Sequence, residues 1–370
     1  MLLPLIAVAQ DFDTKARYAV LIDAESGSVL FNKAADERLE PASMAKLMTV
    51  AVVFTYLQQK KLSFDDEFFI SENAWRTGGA ASGGSTMFAE LNSKVRVGDL
   101  VKSVIIQSGN DAAIALAEGI GGSETAFARI ENLLAKQIGL TNSNFVNSTG
   151  LPDPEQYSTA HDLARLAKYI IETFPEYYPI FSEPEFTWNK IKQANRNSLL
   201  ENGLGVDGLK TGHTDAAGYG EVVSTAQGGR RLIAVLHGLS SMNERAEEAR
   251  KLVGLGLHGY ELLPVFGEGQ VVTYADVSGG AAGQVGLVGM GKIDLFLPKG
   301  AERCPEAKVT YEGPLRAPIE AGAEVGSLEV SCEGLVVQTT PLFTKEAVAQ
   351  GDLIARAMSG VKELLLGWTR

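Results

Sequence analysis

The stretch GEVVSTAQGGRRLIAVLHGL, residues 220–239, sets two apolar runs on either side of Gly228-Gly229. Paired glycines between β-branched runs are a hairpin signal, because a two-residue turn needs backbone torsions that glycine adopts without steric cost. Far upstream, RYAVLIDAESGSVLFNK, residues 17–33, reads as a second hairpin with strands Tyr18–Asp23 and Ser28–Lys33. Between the two the apolar spacing takes the helical period: Ser43 to about Gln58, Val97–Ile106, Asp111–Ile120 and Ser123–Ile138, the last with Glu124 in its first turn. The charged stretch NERAEEARKLVGLGLHGYELL, residues 243–263, follows as another helix. Strands at both ends with helices between predict an α/β domain whose sheet unites the ends around a helical insert.

From about Pro264 the texture becomes short Val-rich runs broken by Gly and Pro, an all-β pattern that predicts a small sandwich with no catalytic cluster of its own. The tail from Asp352 to Arg370 places Leu353, Val361, Leu365 and Trp368 at helical spacing, with Arg356, Lys362 and Glu363 elsewhere on the wheel. Those charges exclude a helix spanning a bilayer and leave two readings, a helix in the membrane interface or one packed on its own protein. At the other end MLLPLIAVA, residues 1–9, is an apolar run ending in a small-x-small pattern before Gln10, read as a signal-peptide remnant although the basic start is missing. The expected divisions are therefore 1–9, an α/β domain over 10–263, a β-rich domain over 264–350 and an amphipathic helix over 351–370.

Composition narrows the chemistry. Across 370 residues the formal net charge is -12, and no Lys/Arg run offers a nucleic acid a phosphate-tracking stripe. Four His and two Cys show no metal-ligand spacing, so no metal or other cofactor is expected. Cys304 and Cys332 could pair in an exported domain, and the sequence leaves that open.

Catalytic potential concentrates in EPASMAKLMTV, residues 40–50, where Ser43 precedes Lys46 by about one helical turn in an apolar setting. A serine hydroxyl needs a base within hydrogen-bond reach, and residues three apart share a helix face. An ammonium cannot be that base, so Lys46 must be neutral, which burial and a second nearby cation both favour. Lys210-Thr211-Gly212 offers the cation on an expected sheet-edge strand, where it could hold a substrate carboxylate while Gly212 admits a substrate backbone. Ser108-Gly109-Asn110 stands at a break between two helical segments, where hydroxyl and amide can face a cleft. Each motif alone is weak: S-x-x-K recurs at residues 359–362, and S-x-N at 71–73 and 241–243. The order and spacing of all three discriminate, since this is the motif set of penicillin-interacting serine enzymes.

Longer stretches carry the likeness further. EPASMAKLMT, SGNDAAIALAE, YSTAHDLARLAKYI and GVDGLKTGHTDAAGYGEVVSTAQGGRRLIAVL closely resemble the low-molecular-mass penicillin-binding proteins that are D-alanyl-D-alanine carboxypeptidases, over residues 12 to about 263. The Val-rich region and tail resemble that family's C-terminal β domain and membrane anchor. The resemblance implies a serine β-lactamase/D,D-peptidase-like fold, an antiparallel sheet flanked by helices plus a helical subdomain. It implies that Ser43 attacks the carbonyl between the terminal D-alanines of a peptidoglycan stem peptide with Lys46 as base, while Ser108 and Asn110 relay the proton and orient Lys46 and the substrate amide. Lys210 and Thr211 would bind the terminal carboxylate, and the backbone N–H groups of Ser43 and His213 would form the oxyanion hole. Arg196 and Arg245 match family arginines that help recognise the carboxylate, with a surface ion pair as the alternative for each. β-Lactams would acylate Ser43, and the enzyme would be exported to the periplasm and lie on the outer face of the cytoplasmic membrane. His161 stands where the family commonly has Arg, so a pairing with an acid there would require its protonated form.

Two other functions compete. A class A β-lactamase shares S-x-x-K and K-T-G, yet its Glu-x-x-Leu-Asn deacylation string is absent from this sequence, and such enzymes carry neither a β domain nor a tail. A non-catalytic penicillin-binding sensor would keep the fold as a receptor, and the complete motif set counts against it. Transpeptidation and endopeptidation use the same acyl-enzyme, and these residues do not separate them.

Overall fold

The structure, a computed structural model, describes residues 12–201, 203–301, 304–353 and 356, so the expected leader and nearly all of the expected tail helix lie outside the described residues. Two compact units emerge: Asp13–Leu21 with Asn32–Gly254, and Ile22–Phe31 with the residues from Leu255 onward. The division falls at Gly254, ahead of the expected residue 263, and the turn of the first hairpin belongs to the C-terminal unit.

In the first unit the strands run in the order Tyr18–Asp23, Arg230–Leu239, Gly218–Gln227 and Val206–Thr214, with the last at the sheet edge. The glycine hairpin forms in the expected register, Gln227 opposite Arg230. Gly228 and Gly229 take φ of 63° and 78°, the pair of positive torsions that matches a tight turn to strand twist. Chain ends meeting in one sheet around a helical insert is the predicted topology.

The α-helices placed among the described residues include α1 (Lys46–Gln58), α2 (Val97–Ile106), α3 (Asn110–Gly121), α4 (Glu124–Ile138), α5 (Ala160–Thr173) and α6 (Met242–His258). Helix α1 is buried continuously from Lys46 to Phe54, and α2, α3, α4 and α5 all pack on it. Its sequence is apolar on every side, as a helix enclosed by others must be. Each Leu, Met or Phe it buries contributes about 1.5–3 kcal/mol. The α4 boundaries follow local chemistry: the Ser123 hydroxyl accepts from Ala126 N–H, and Gly139 ends the helix at φ 82°. The same logic starts α5, where Thr159 caps the Asp162 N–H.

Two expectations need correction. The helix read from Ser43 is a 3₁₀ turn, Ala42–Ala45, followed by an α-helix that begins only at Lys46. The last helix stops at His258, and the residues read as its end form strand Tyr260–Phe266, paired antiparallel with Ile293–Pro298. Pro264 has no N–H for either kind of ladder, and the strand takes it up at an irregularity, its register shifting between Pro264 and Phe266.

In the second unit, antiparallel pairings link Val271–Ser278, Gln284–Val288, Leu335–Thr344, Glu324–Cys332 and Glu306–Tyr311 in that order. Val285, Leu287, Ile293, Leu295, Leu328 and Leu342 lie in its core, as a β-rich fold with one buried face requires. Cys304 and Cys332 form a disulfide across 28 residues, answering what the sequence left open.

Candidate active site

Sequence geometry and chain topology meet at Ser43. In a 3₁₀ turn residues i and i+3 nearly eclipse, so the Ser43 hydroxyl stands over the first residue of α1. Lys46 is fully buried, and its Nζ lies 2.9 Å from Ser43 Oγ, 2.8 Å from Asn110 Oδ1 and 2.5 Å from the Thr149 carbonyl oxygen. The last two partners only accept. A neutral amine has two hydrogens and one lone pair, so these contacts place the hydrogens on Asn110 and Thr149 and leave the lone pair for the Ser43 hydroxyl. Burial, with the positive field of Arg196, lowers Lys46 from 10.5 to about 7 against the opposing field of Asp111.

Three glycine-dependent approaches hold the cleft together. A Cβ on Gly150 would lie 1.9 Å from the Ala42 carbonyl oxygen, so the 148–150 segment touches the serine turn backbone to backbone. A Cβ on Gly212 would lie 3.1 Å from Pro41 O and 3.2 Å from Met44 N, which brings the Lys210 strand against the same turn. Gly78 likewise admits the backbone of Asp111. The Asp111 carboxylate accepts from Thr86 Oγ1, Met87 N–H and Ala89 N–H, fastening residues 86–89 beside Asn110.

Ser108 sits between α2 and α3 at φ 69°, left-handed for a non-glycine residue, and its buried hydroxyl has no partner among the described residues. Strain and an unpaired buried hydroxyl cost free energy, and they concentrate where a site needs a free donor. The structure brings Ser43, Lys46 and Asn110 into direct contact and leaves Ser108 outside that set of bonds.

Lys210 is almost completely buried, and its Nζ donates to the Thr211 carbonyl at 3.0 Å. Burial, then the fields of Lys46, Arg196 and Arg245, hold it well below the ordinary lysine value, with Glu221 opposing. Repulsion between the two buried lysines is mutual, so a charge on either disfavours a charge on the other, and Arg196 adds its positive field to both. Thr211 is buried, while His213 is exposed with its ring stacked 3.9 Å from that of Tyr219. Arg245 is buried rather than on the surface, with Nε 3.5 Å from Glu221 Oε2 and Nη2 donating to the Arg196 carbonyl at 3.1 Å. Arg196 is exposed, and its own N–H donates to Ile106 O at 3.1 Å, tying it to the end of α2. His161 does stand beside an acid, with Nδ1 3.1 Å from Asp36 Oδ1.

Sequence reasoning missed several neighbours. Glu221, fully buried opposite Thr211, is pushed up to about 7 by burial although Arg245 and Lys210 pull the other way. His237 donates from Nε2 to the Glu40 carbonyl at 2.6 Å and accepts the Gly238 N–H on Nδ1, steadying the chain just before the serine turn. Thr149 contributes only a backbone oxygen, for which side-chain identity gives no signal.

Comparison with known proteins follows the same outline. The D-alanyl-D-alanine carboxypeptidase family matches residues 6–241, and the penicillin-binding protein 5 C-terminal domain matches residues 260–350. D-alanyl-D-alanine carboxypeptidase DacC of Escherichia coli K12 is 40% identical over 358 residues, 95% of this chain and 89% of that protein. The solved penicillin binding protein 5 of Haemophilus influenzae superposes with a TM-score of 0.72 at 37% identity, covering 92% of this chain and 99% of that one. Penicillin-binding protein D2 of Listeria monocytogenes, solved in an ampicillin-bound form, gives 0.58 at 29% identity and covers 67% of this chain and 99% of that one.

Proposed function

The chain belongs to the D-alanyl-D-alanine carboxypeptidase family, and from that premise we propose that it removes the terminal D-alanine of peptidoglycan stem pentapeptides through an acyl-enzyme on Ser43. The contact that carries this reading is Lys46 Nζ, buried and 2.9 Å from the Ser43 hydroxyl. Lys46 takes the hydroxyl proton as Ser43 Oγ attacks the carbonyl between the two D-alanines. The oxyanion forms beside the backbone N–H groups of Ser43 and His213, a role supported by the close approach of Gly212 to the serine turn.

The proton then travels from Lys46 to the departing amine by way of Ser108, whose free hydroxyl suits a relay. Asn110 holds Lys46 through Oδ1 and offers its amide hydrogens to the substrate. Lys210 and Thr211 bind the terminal carboxylate at the edge strand, with Arg196 and Arg245 adding positive field. An arriving carboxylate favours charged Lys210, and that charge keeps Lys46 neutral at the moment it must act. D-Alanine leaves, water enters, and Lys46 activates it for deacylation. A β-lactam, whose leaving group stays tethered, acylates the same serine and departs slowly.

This activity separates the chain from a non-catalytic sensor, which would bind penicillin without releasing D-alanine from a D-Ala-D-Ala peptide. Ser43→Ala abolishes both D-alanine release and covalent labelling by a fluorescent penicillin; labelling that persists moves the nucleophile elsewhere. Because the substrate lies outside the cytoplasmic membrane, the reading includes export. No helix among the described residues is long and apolar enough to cross a membrane. Attachment is assigned to the amphipathic pattern of the tail, and deleting residues 352–370 releases the protein from the membrane fraction with turnover intact. Retention after that deletion refutes the anchor.

A further inference from the structure

Glu131 on α4 is fully buried and takes no part in the steps above. Its Oε1 lies 2.9 Å from Thr49 Oγ1, which in turn lies 2.8 Å from the Ser148 carbonyl oxygen. Thr49 follows Lys46 by about one turn of α1, and the two read successive carbonyls of one segment. Thr49 holds that of Ser148, and Lys46 holds that of Thr149.

A threonine hydroxyl has a single hydrogen, and a peptide carbonyl can only accept. With that hydrogen on the Ser148 oxygen, the contact between Thr49 and Glu131 needs a hydrogen from the carboxyl. We propose that Glu131 is a neutral carboxylic acid which donates to Thr49 and so fixes the direction of a hydrogen-bond chain, carboxyl to hydroxyl to Ser148 carbonyl, that clamps residues 148–149 onto α1 and sets the acceptor that orients Lys46. An ionised Glu131 would draw the Thr49 hydrogen to itself and release the Ser148 carbonyl. The Thr149 oxygen one residue on would then lose its fixed position, and the Lys46 lone pair its aim at Ser43.

The surroundings favour the acid form. Desolvation holds the Glu131 carboxyl well above the usual carboxylate range, the Thr49 contact opposes this, and the like charge of Glu124 on the same helix adds to it. Glu124 is itself engaged, accepting from Ser148 Oγ at 2.9 Å. The second carboxyl oxygen of Glu131 has no partner among the described residues, a far smaller penalty for a neutral acid than for a carboxylate. Glu131 is thus a positioning residue, and its role rests on the reading of Lys46 as base.

Infrared difference spectra of the full chain at neutral pH, wild type against Glu131→Gln, test the proton directly. The expected result is the C=O stretch of a protonated carboxylic acid lost in the variant. A carboxylate band lost in its place overturns the proposal whatever the catalytic activity, which keeps its failure distinct from failure of the carboxypeptidase reading. Should the glutamine variant not fold, Glu131→Met fills the space without a proton and removes the same band. For positioning, Thr49→Val lowers the rate constant of β-lactam acylation by about tenfold, the loss of about one net hydrogen bond, with the non-covalent dissociation constant unchanged. Thr49→Ser and Glu131→Gln, which keep a hydroxyl and a neutral donor, recover most of that rate. Wild-type acylation by Thr49→Val, or acylation by Glu131→Gln as slow as by Thr49→Val, refutes the clamp.

Discussion

Replacing Lys46 by Met tests at once why the amine is neutral and what that neutrality costs. Its fall from 10.5 to about 7 corresponds to a preference for the neutral amine of about 5 kcal/mol. The folded value is the lower one, so the unfolded chain binds a proton that the folded chain has released between about pH 7 and 10.5. Folding stability attributable to this residue therefore rises with pH across that window, by about 1.4 kcal/mol per unit, and the whole penalty is present below pH 7. Lys46→Met removes the penalty and unpairs Ser43 Oγ, Asn110 Oδ1 and the Thr149 carbonyl, a cost that does not vary with pH. Urea unfolding of both proteins at several pH values between 7 and 10 reads the effect, because titrations of groups distant from Lys46 cancel in the difference and the coupled Lys210 is the neighbour whose titration shifts with it. The variant's advantage should shrink as pH rises; a difference that stays level refutes a depressed Lys46. Kinetics give a second reading: acylation of the wild type by a fluorescent penicillin should rise with a midpoint near 7. Two units below that midpoint the rate should be on the order of one hundredth of the plateau, and a profile level down to pH 5 is incompatible with lysine as base.

Arg245→Ala leaves the buried Glu221 without its cation, at a cost of about 3–5 kcal/mol. Because Glu221 titrates near 7, thermal denaturation should show the larger loss at pH 8, where the charge must be borne, than at pH 6. Gly150→Ala drives a Cβ to 1.9 Å from Ala42 O at a backbone φ of 77°, so it should lower stability by about 2 kcal/mol or more and slow acylation by displacing the serine turn. A variant with unchanged acylation contradicts the contact between the 148–150 segment and Ser43. Reducing the Cys304–Cys332 bridge removes a constraint across 28 residues, worth about 3.5 kcal/mol on the loop-closure estimate. Calorimetry should show that loss, while penicillin labelling of Ser43 in the reduced protein persists.

What local sequence determined, it determined through chemistry that acts within a few residues. The Gly228-Gly229 turn, the Ser123 and Gly139 boundaries of α4 and the apolar enclosure of α1 each follow from torsional freedom, capping or hydrophobic period. Ser43, Lys46, Asn110 and Lys210 were legible because their order and spacing are improbable together. Local pattern failed where the deciding contact is distant. The residues after His258 carry a helix-like run, and pairing with Ile293–Pro298 makes them a strand. Only the tertiary structure decided that Arg196 adds its field to the burial of Lys46, that Arg245 is buried against Glu221, and that Glu131 and Thr149 reach Thr49 and Lys46 from elements more than eighty positions away. A carbonyl oxygen is the same in every residue and a pKa is set by what lies within a few ångströms. Neither leaves a mark in the order of the letters until the chain has closed around them.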